Sequence, residues 1–474
     1  MLHLYRLALP LVSVMIAGAS PAASQQTDTT FTVDPLAGTV RIVMQIGRQP
    51  TLDIPTVTLF HTLARDFFRQ DDGTMYVQTG DIPAMWLRDS SAQTIPYVRF
   101  IPAVTRLGSL IRAVIERNAK NVLKNPRANA FTVGYQIWEE KWEVDSLAYP
   151  VTLAWTYWKQ THDRRVFTRK LHWALAHTVS TFACEQQHRR CSQYTSRFLD
   201  NHGRGADYAD TGMIWSAFRP SDDPVRYPFN IPQQMLAEVA LRELAELAVT
   251  GYGDLDLAAK ARALAGQVRA GIDRNGVVYD FRYGWLYAYE VDGRGNVELM
   301  DDANVPNLVS APYLGYVSKE DPVYNNTRRF ALSSDNPYYY RGRYAEGLGS
   351  PHTRTGWVWP LGIIARGLTA PTPKEVSDTI GQVHLSNPTD ELIHESFDPN
   401  DPSQFTRTEF GWGNAMFAEL IFRSATVLPL NPLPPLEEIS ILPLERRTPR
   451  VVDDAQALLN AYAIQATLLR LLQE

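Results

Sequence analysis

Repeated helical periodicity is the feature that most constrains how this chain folds. In residues 234–249, Leu236, Ala240 and Leu244 recur on one face with charged residues between them, which is the spacing of an amphipathic helix. Pro232 stands near its start and Gly251 just past its end, the asymmetry expected of helix ends. Similar patterns occur at 56–68, 103–123, 147–159, 166–182, 255–268, 356–368, 414–422 and 454–472.

Strand-like runs are fewer, at 39–46, 277–283 and 285–291, the last two around Gly284. About ten or more helices joined by long loops predict a mainly α, closed helical array with small β elements. Periodicity alone leaves a helical solenoid and a toroid equally open. The Pro-rich stretch 428–443 is expected to wrap the surface before a last helix.

The N-terminus has the pattern of a signal peptide. Arg6 precedes an apolar run over 7–17, and small residues follow over 19–24, so cleavage is expected near Ala23 or Ser24. No later apolar stretch reaches about 18 residues, the length needed to span a bilayer. We therefore expect residues 1–24 to be removed and 25–474 to form a single domain, secreted or in the lumen of the secretory pathway, without a membrane anchor.

The two cysteines agree with that compartment. Cys184 and Cys191 are separated by six polar residues, and in an oxidising compartment they are expected to form a local disulfide. His188 lies between them, but two thiols and one imidazole at this spacing are a poor zinc set. Asn325 begins an Asn-x-Thr sequon and is a candidate for N-glycosylation, whereas Asn387 is excluded by the proline that follows it.

Charge and motif content exclude several function classes. The net charge is −5, which argues against a nucleic-acid surface. Neither a P-loop nor a G-x-S-x-G elbow is present. His394-Glu395 does not begin a zinc-protease signature, because Asp398 stands where the second histidine is needed. The sequence thus predicts neither a metal site nor a cofactor.

One segment has the composition of a sugar-binding site. Residues 79–90 contain Trp86, Arg88 and Asp89 directly after a glycine and a proline. An arginine can donate to hydroxyls, an aspartate can accept from them, and a tryptophan can cover the C–H face of a sugar ring. The alternative is a surface ion pair of little energetic weight beside a core tryptophan.

Further motifs follow in order along the chain. Residues 215–223 read W-S-A-F-R-P-S-D-D, 349–353 read G-S-P-H-T, 392–398 read L-I-H-E-S-F-D, 405–407 read F-T-R and 414–420 read N-A-M-F-A-E-L. Together with residues 79–90 they resemble glycoside hydrolase family 125, the metal-independent exo-acting α-1,6-mannosidases. The likeness runs from about Pro35 to about Phe422. It implies an (α/α)6 helical barrel with long loops that form the active site at one mouth.

Glycoside hydrolysis needs one protonated and one ionised carboxyl group. The resemblance places the general acid at the Asp222-Asp223 pair. We assign it to Asp222, with Asp223 as the alternative. Two adjacent aspartates that are partly desolvated cannot both ionise cheaply, so one pKa rises, and Arg219 is expected to hold the other as an anion. From the residues alone, a Ser-Asp helix cap competes with this interpretation.

The resemblance also implies the remaining roles. Glu395 matches the general base that activates water in an inverting reaction, although a simple ion pair with Arg407 is the alternative. Arg88 and Asp89 match the pair that binds the nonreducing-end mannose, and Trp86 either floors that subsite or packs beneath it. His352 and Asp145 are further candidate substrate-binding residues.

The resulting prediction is an inverting exo-α-1,6-mannosidase that acts on mannose-rich glycans or mannans without a cofactor or metal. Its expected partner is a mannose-containing oligosaccharide, not a nucleic acid. One alternative is another inverting helical-barrel glycosidase, such as an α-glucosidase or a trehalase-like enzyme. Another is a mannan-binding protein that has lost catalysis, but the presence of both Asp222 and Glu395 argues against it.

Overall fold

A computed structural model gives the three-dimensional structure of the protein. It describes residues 62–63, 65–102, 105–386 and 392–424, together with the backbone of four strands in the preceding part of the chain. The signal peptide predicted for residues 1–24 lies outside the described residues, apart from the backbone of Ser13–Val14. The linker and helix predicted at 428–443 and 454–472 also lie outside them.

Helices dominate the described chain. In order they are α1 Leu87–Ala92, α2 Thr105–Lys124, α3 Val144–Thr161, α4 Arg169–Gln186, α5 His188–Cys191, α6 Asp200–Gly203, α7 Ile231–Leu247, α8 Leu255–Gly271, α9 Pro322–Ala331, α10 Pro360–Leu368, α11 Pro373–Leu385 and α12 Gly411–Ser424. Turns of 3₁₀-helix follow α1 at Ile95–Phe100 and α3 at Arg164–Val166. Turns of π-helix extend α7 over Ala248–Tyr252 and α8 over Ile272–Gly276.

The strands are short, and all their pairings are antiparallel. They are β1 Ser13–Val14, β2 Thr27–Asp34, β3 Thr39–Ile46, β4 Leu52–Pro55, β5 Phe67–Arg69, β6 Met75–Val77, β7 Met85–Trp86, β8 Ala130–Phe131, β9 Ile137–Glu139, β10 Phe229–Asn230, β11 Val277–Asp280, β12 Gly284–Tyr287, β13 Glu290–Val291, β14 Val297–Glu298, β15 Tyr339–Arg341, β16 Glu346–Leu348, β17 Ser396–Asp398 and β18 Asp401–Thr406. They form hairpins and small sheets, with strand orders β1-β2-β3-β4, β7-β8-β9 and β10-β13-β14 in the larger ones.

The helices form two concentric layers. The inner helices α1, α3 and α7 pack in succession, and α10 packs on α12, which returns to α1. The outer helices α2, α4 and α8 pack side by side behind them, while α11 covers α10 and α12. An inner helix touches neighbours on nearly every side, so every residue of α7 is buried except Arg242 and Glu246. An outer helix buries only one stripe, as α8 does. This arrangement confirms the predicted helical barrel.

The inner layer is completed by a buried segment without regular helix. Residues 300–311 are all buried, so their backbone groups need partners inside the protein. The Asp301 carboxylate supplies them by accepting from the backbone N–H groups of Asp302, Leu308 and Val309 at 3.1, 2.9 and 3.1 Å. The segment is thereby fixed next to the site described below, which Asn304 lines.

Most predicted helices are confirmed, with shifted ends. The helix predicted at 234–249 begins at Ile231, because the Asn230 side chain caps it by accepting from the Gln233 N–H. Its left-handed C-terminal residue is Gly253 rather than Gly251. The helix predicted from residue 356 begins only at Pro360, since Val358 pairs with Phe397 in a β-bridge. The pattern at 56–68 is helical at 62–63 and 65–66 but gives way to β5 at Phe67.

The expected disulfide joins Cys184 to Cys191, with their Cα atoms 5.2 Å apart. It closes the short connection between α4 and α5, within which His188 is buried against the Trp215 ring at 3.6 Å between centroids. His188 thus packs on Trp215 and hydrogen-bonds to Glu185 Oε2 at 2.7 Å. Among the described residues, no helix has the combined length and apolar composition to cross a membrane.

Candidate active site

A strand-to-helix junction presents the first group of site residues. β7 ends at Trp86, whose extended backbone leads directly into α1, so Arg88 and Asp89 lie in the first turn of that helix. β7 is held by its pairing with β8, where Trp86 lies opposite Ala130. The preceding loop passes close to the backbone of residue 409 at Gly80, which has a φ of 56° and leaves no room for a Cβ there. The junction is therefore a rigid support.

Arg88 is the centre of a buried charge cluster. Its Nη1 donates to Glu143 Oε2 at 2.7 Å and to Asp145 Oδ2 at 3.2 Å, and its Nη2 donates to Asp222 Oδ1 at 3.3 Å. Its Nε lies 3.3 Å from Asp89 Oδ2. A single guanidinium thus faces four carboxyl groups, and the predicted alternative of an exposed, weak ion pair is excluded.

Burial determines how this cluster is protonated. Four carboxyl groups around one guanidinium in a poorly solvated place favour protonation of at least one of them. Burial raises the pKa of Glu143 well above its usual value, and the nearby charge of Asp222 adds to the effect. Burial likewise raises the pKa of Asp89 to about 6, despite the opposing charge of Arg88.

Asp222 lies at the tip of a tight turn. Its backbone has a φ of +66°, a left-handed conformation that aspartate tolerates better than most residues but that still costs about 1 kcal/mol or more. The turn is fixed on both sides. Ser221 Oγ donates to Asp302 Oδ2 at 2.7 Å, and Asn304 Nδ2 donates to the Pro220 carbonyl at 2.9 Å. The fixed turn therefore places the Asp222 carboxyl in the pocket wall.

The structure corrects the expected partner of this aspartate. Arg219 does not hold either member of the Asp222-Asp223 pair through its side chain. Its Nε and Nη2 bind Glu290 at 2.6 and 3.1 Å. Asp223 instead accepts from Ser221 Oγ at 3.3 Å and faces His352 Nδ1 at 3.4 Å.

The protonation expected from sequence adjacency is also wrong. The carboxyl that couples to Asp222 is Glu143, distant in sequence, and not Asp223. Burial works to raise the pKa of Asp222. The hydrogen bond from Glu143 and the charge of Arg88 outweigh that effect and hold this pKa below its usual value. Burial and the charge of Asp222 therefore favour the protonated form of Glu143.

Glu395 is presented by a second hairpin. Its backbone N–H donates to the Thr406 carbonyl just before β17, and Thr406 Oγ1 donates to its Oε2 at 3.1 Å. Arg407 Nη1 lies 3.8 Å from Oε1, a distance too long for a hydrogen bond. Arg407 is engaged elsewhere, by Asp81 at 2.7 Å and the Thr79 carbonyl at 2.6 Å. Burial raises the pKa of Glu395, against the opposing charge of Arg407.

His352 lies near three partly exposed carboxyl groups, those of Asp222, Asp223 and Glu395. Burial opposes its positive charge, but its hydrogen bond with Asp223 and the charges of Asp222 and Glu395 raise the pKa of His352 to about 9. It is therefore an imidazolium at neutral pH. About 35% of its side chain is exposed, so it stands at the rim of the site.

These groups converge on one pocket. Its walls are formed by Thr79, Ile82, Trp86, Arg88, Asp89, Ser221, Asp222, Asn304, His352, Trp359, Glu395, Arg407 and Phe410. Segments separated by more than 300 residues thus meet, and six of the seven predicted site residues lie in this wall. The side chains of Asp222 and Glu395 remain 18% and 14% exposed, as groups that must meet a reactant and water require.

Asp145 is the exception and a correction. It was expected to bind substrate, but its side chain is fully buried behind Arg88 and forms no part of the pocket wall. Its position in the first turn of α3 lets it accept from Arg88 Nη1 and so orient the guanidinium from behind. Sequence position alone cannot distinguish a residue in the wall from one directly behind it.

Several residues of the site have no counterpart among the predictions. Glu143 stands one residue before α3 and is fully buried. No sequence signal indicated this burial, because alternation of acidic residues with apolar Trp142 and Val144 ordinarily places the acids on the face opposite the core. Trp359 and Phe410 form an aromatic corner with ring centroids 6.3 Å apart. Within the described ranges, no three acidic, histidine or cysteine side chains are grouped as metal ligands.

Comparisons with known proteins agree with this geometry. The family profile of the metal-independent alpha-mannosidases (GH125) matches residues 51–135 and 132–422. A solved structure from Streptococcus pneumoniae, of a metal-independent alpha mannosidase in a non-productive substrate complex with alpha-1,6-mannobiose, is 38% identical. That match covers 78% of this chain and 93% of the other, with a TM-score of 0.75.

Two other relatives extend the comparison. The Meiotically up-regulated gene 157 protein of Schizosaccharomyces pombe is 36% identical over 386 residues, which cover 73% of this chain and 75% of that protein. A bacterial glucoamylase solved with acarbose is 14% identical, with a TM-score of 0.52 over 82% of this chain and 53% of the other. At that identity the glucoamylase supports the barrel fold alone.

Proposed function

Because the chain belongs to glycoside hydrolase family 125, the metal-independent α-mannosidases, we propose that it is an inverting exo-α-1,6-mannosidase. It releases terminal mannose from mannose-rich glycans or mannans. The observation that carries the proposal is the single pocket in which a sugar-binding pair, Arg88 and Asp89, lies together with two accessible carboxyl groups on separate loops, Asp222 and Glu395.

The polar end of the pocket suits the nonreducing end of a sugar chain. Arg88 and Asp89 are nearly buried at its base, where a donor and an acceptor bind adjacent hydroxyls with charge-assisted hydrogen bonds. Trp86 and Phe410 add apolar faces that pack on C–H groups of the ring. Because the cluster behind Arg88 fills the space beyond it, only a chain end fits, which supports exo action. The α-1,6-mannobiose bound to the Streptococcus pneumoniae relative supports the sugar and the linkage.

In the proposed reaction, Asp222 protonates the departing glycosidic oxygen while Glu395 takes a proton from the attacking water. Water displaces the leaving group from the opposite face, so the product is β-mannose. Thr406 Oγ1 orients Glu395 by donating to its Oε2 at 3.1 Å. The His352 imidazolium faces both carboxylates and offsets their repulsion.

Two features support a secreted or lumenal location for the enzyme. The Cys184–Cys191 disulfide fits an oxidising compartment, in keeping with the signal pattern at the N-terminus. Asn325 of the sequon is exposed on α9, as an acceptor of an N-glycan must be. We therefore propose secretory targeting with cleavage near Ala23 or Ser24.

A substrate panel tests the activity. The purified protein is incubated with α-1,6-mannobiose, with α-1,2- and α-1,3-mannobiose, and with maltose and trehalose, and free monosaccharide is measured. We expect mannose from the α-1,6-linked substrate and little from the others. An α-1,6-mannotriose blocked at its nonreducing end should resist cleavage. Glucose release from maltose or trehalose at a comparable rate, or cleavage of the blocked substrate, would overturn the proposal.

A further inference from the structure

The general acid of a glycosidase must carry a proton when the substrate binds, yet the surroundings of Asp222 favour its anion. Arg88 Nη2 donates to its Oδ1 at 3.3 Å, and Asn129 Nδ2 lies 3.4 Å from the same oxygen. Asp222 therefore needs a neighbour that can supply a proton. Glu143 is a carboxyl group placed beside it, because Arg88 donates to both acids and Asn129 Nδ2 lies 3.4 Å from an oxygen of each.

From this geometry we propose that Glu143 stores the catalytic proton and delivers it to Asp222, acting as a positioning residue behind the acid. Its side chain has no exposed surface, so it cannot reach the substrate itself. The inference rests on the proposed function, because it explains how Asp222 becomes an acid in that reaction.

The contacts of Glu143 divide between its two oxygens. Oε2 accepts from Arg88 Nη1 at 2.7 Å and from Ser146 Oγ at 3.0 Å. Oε1 has only a 3.4 Å contact with Asn129 Nδ2, and that amide lies at the same distance from Asp222 Oδ1. The donors thus stabilise Oε2 as the carbonyl-like oxygen and leave Oε1 to carry the proton. Asn129 Nδ2 thus contacts both acids, although its shortest hydrogen bond is to Glu139 Oε2 at 2.9 Å.

The surrounding charges determine where the proton rests. Facing Glu143 are Arg88, Lys141, Asp145 and Tyr194. Facing Asp222 are Arg88, Asp89, Lys141, Asp145, His352 and Glu395. Of the two acids, Asp222 is the one whose pKa the His352 imidazolium lowers, and Asp222 is also the more exposed. Both effects favour the anion on Asp222 and the proton on Glu143 in the resting enzyme.

The number of protons on the enzyme is the same before and after one turnover. As the glycosidic C–O bond breaks, one proton leaves Glu143 for Asp222 and passes from Asp222 to the departing oxygen. Glu143 becomes an anion that Arg88 and Ser146 already solvate. The attacking water gives its proton to Glu395. Afterwards solvent returns a proton to the pair through the exposed edge of Asp222, and Glu395 releases its own to solvent.

Glu143→Gln tests the inference, because it keeps the size and hydrogen bonding of the side chain but removes the acid. Two substrates separate the roles: α-1,6-mannobiose, which needs a protonated leaving group, and 2,4-dinitrophenyl α-mannoside, which does not. We expect kcat/KM on mannobiose to fall about 100-fold at pH 7 and that on the aryl mannoside to fall less than about fivefold. Turnover of the aryl substrate also shows that the variant is folded.

The pH profile is the readout that a purely structural role would not change. The pair of Glu143 and Asp222 holds one proton more tightly than Asp222 does alone. The high-pH limb of kcat/KM for mannobiose should therefore move at least about one unit towards lower pH in Glu143→Gln. Glu143→Asp, which restores an acid, should recover part of the mannobiose activity. The matched control is Asp145→Asn, another buried carboxyl on Arg88 Nη1, which should lower kcat/KM for both substrates by one common factor and move the high-pH limb less than Glu143→Gln does.

Equal losses on both substrates with an unmoved limb in Glu143→Gln would overturn the inference. So would full mannobiose activity in that variant. If the variants do not fold, the wild type decides, since a high-pH limb near an ordinary aspartate value, about 4, contradicts a shared proton. Wild-type protein that cleaves neither mannoside refutes the proposed function instead. In that case the infrared difference between wild type and Glu143→Gln still shows whether a buried carboxyl is protonated at pH 7.

Discussion

Replacing Arg88 with methionine should destabilise the protein strongly and in a pH-dependent manner. The guanidinium is nearly buried and faces four carboxyl groups at 2.7 to 3.3 Å. Removing one partner of a single buried ion pair costs about 3–5 kcal/mol. With four carboxyl groups left without their cation, we expect the loss in unfolding free energy at pH 7 to lie at or above the upper end of that range.

The pH dependence follows from protonation of the same carboxyl groups. Burial already raises the pKa of Asp89 to about 6 in the intact protein, and loss of the positive charge raises these pKa values further. A carboxyl whose pKa is higher in the folded than in the unfolded protein takes up protons on folding, so lower pH stabilises the folded state. Each additional carboxyl that titrates contributes about 1.4 kcal/mol per pH unit. The deficit of Arg88→Met should therefore be roughly 1–3 kcal/mol smaller at pH 5 than at pH 7.

Urea unfolding followed by tryptophan fluorescence measures the unfolding free energy at pH 5 and at pH 7. Arg88→Lys retains one charge and should lose less stability than Arg88→Met. The matched control is Arg242→Met, which removes an arginine that is half exposed and paired with Glu238, and should cost less than about 1 kcal/mol. A midpoint for Arg88→Met equal to that of the control, or a deficit that does not change between pH 7 and 5, would refute the reasoning.

The remaining predictions concern turnover. Asp222→Ala should lower cleavage of α-1,6-mannobiose about 100-fold or more but spare an aryl mannoside with an acidic phenol. Equal losses would remove Asp222 from the acid role. Glu395→Gln should lower the rate of cleavage of both substrates similarly, because both need activated water. An intact rate on either substrate would contradict the role of Glu395 as base. In the wild type the low-pH limb of kcat/KM should lie above the usual glutamate value, since the base must be ionised and burial raises the pKa of Glu395. Activity should survive exhaustive chelation, whereas loss that calcium or zinc restores would indicate another mechanism.

Local sequence signals predicted the helices well where capping and periodicity agree. α7 illustrates this, because its apolar repeat and the proline near its start were both visible in the sequence. α9 and α11 were missed. In α11 a capping signal was present, since the Thr372 side chain accepts from the Glu375 N–H ahead of buried Val376 and Ile380. α9 was hidden by its consecutive asparagines, Asn325 and Asn326, which are typical of turns.

The site was predicted as a set of residue types but not as a network. The motifs carry Arg88, Asp222 and Glu395, yet which acid pairs with which base depends on contacts between distant segments. Asp222 meets Arg88 across 134 positions and Glu143 across 79 positions. Sequence adjacency suggested that Arg219 pairs with the anionic member of Asp222-Asp223, but Arg219 pairs with Glu290 instead. Burial then shifts the pKa of each carboxyl group, and burial results from the packing of the whole barrel.

Proton NMR of the anomeric signals during hydrolysis of α-1,6-mannobiose tests sugar, linkage and stereochemistry together. The enzyme is added at a concentration that completes cleavage before mutarotation, and the first product spectrum is recorded. Direct displacement by water, with Asp222 as acid and Glu395 as base, predicts that the β-anomer of mannose appears first and that the α-anomer grows in later. Initial appearance of α-mannose would mean retention of configuration and would contradict the assignment of Glu395 as the base.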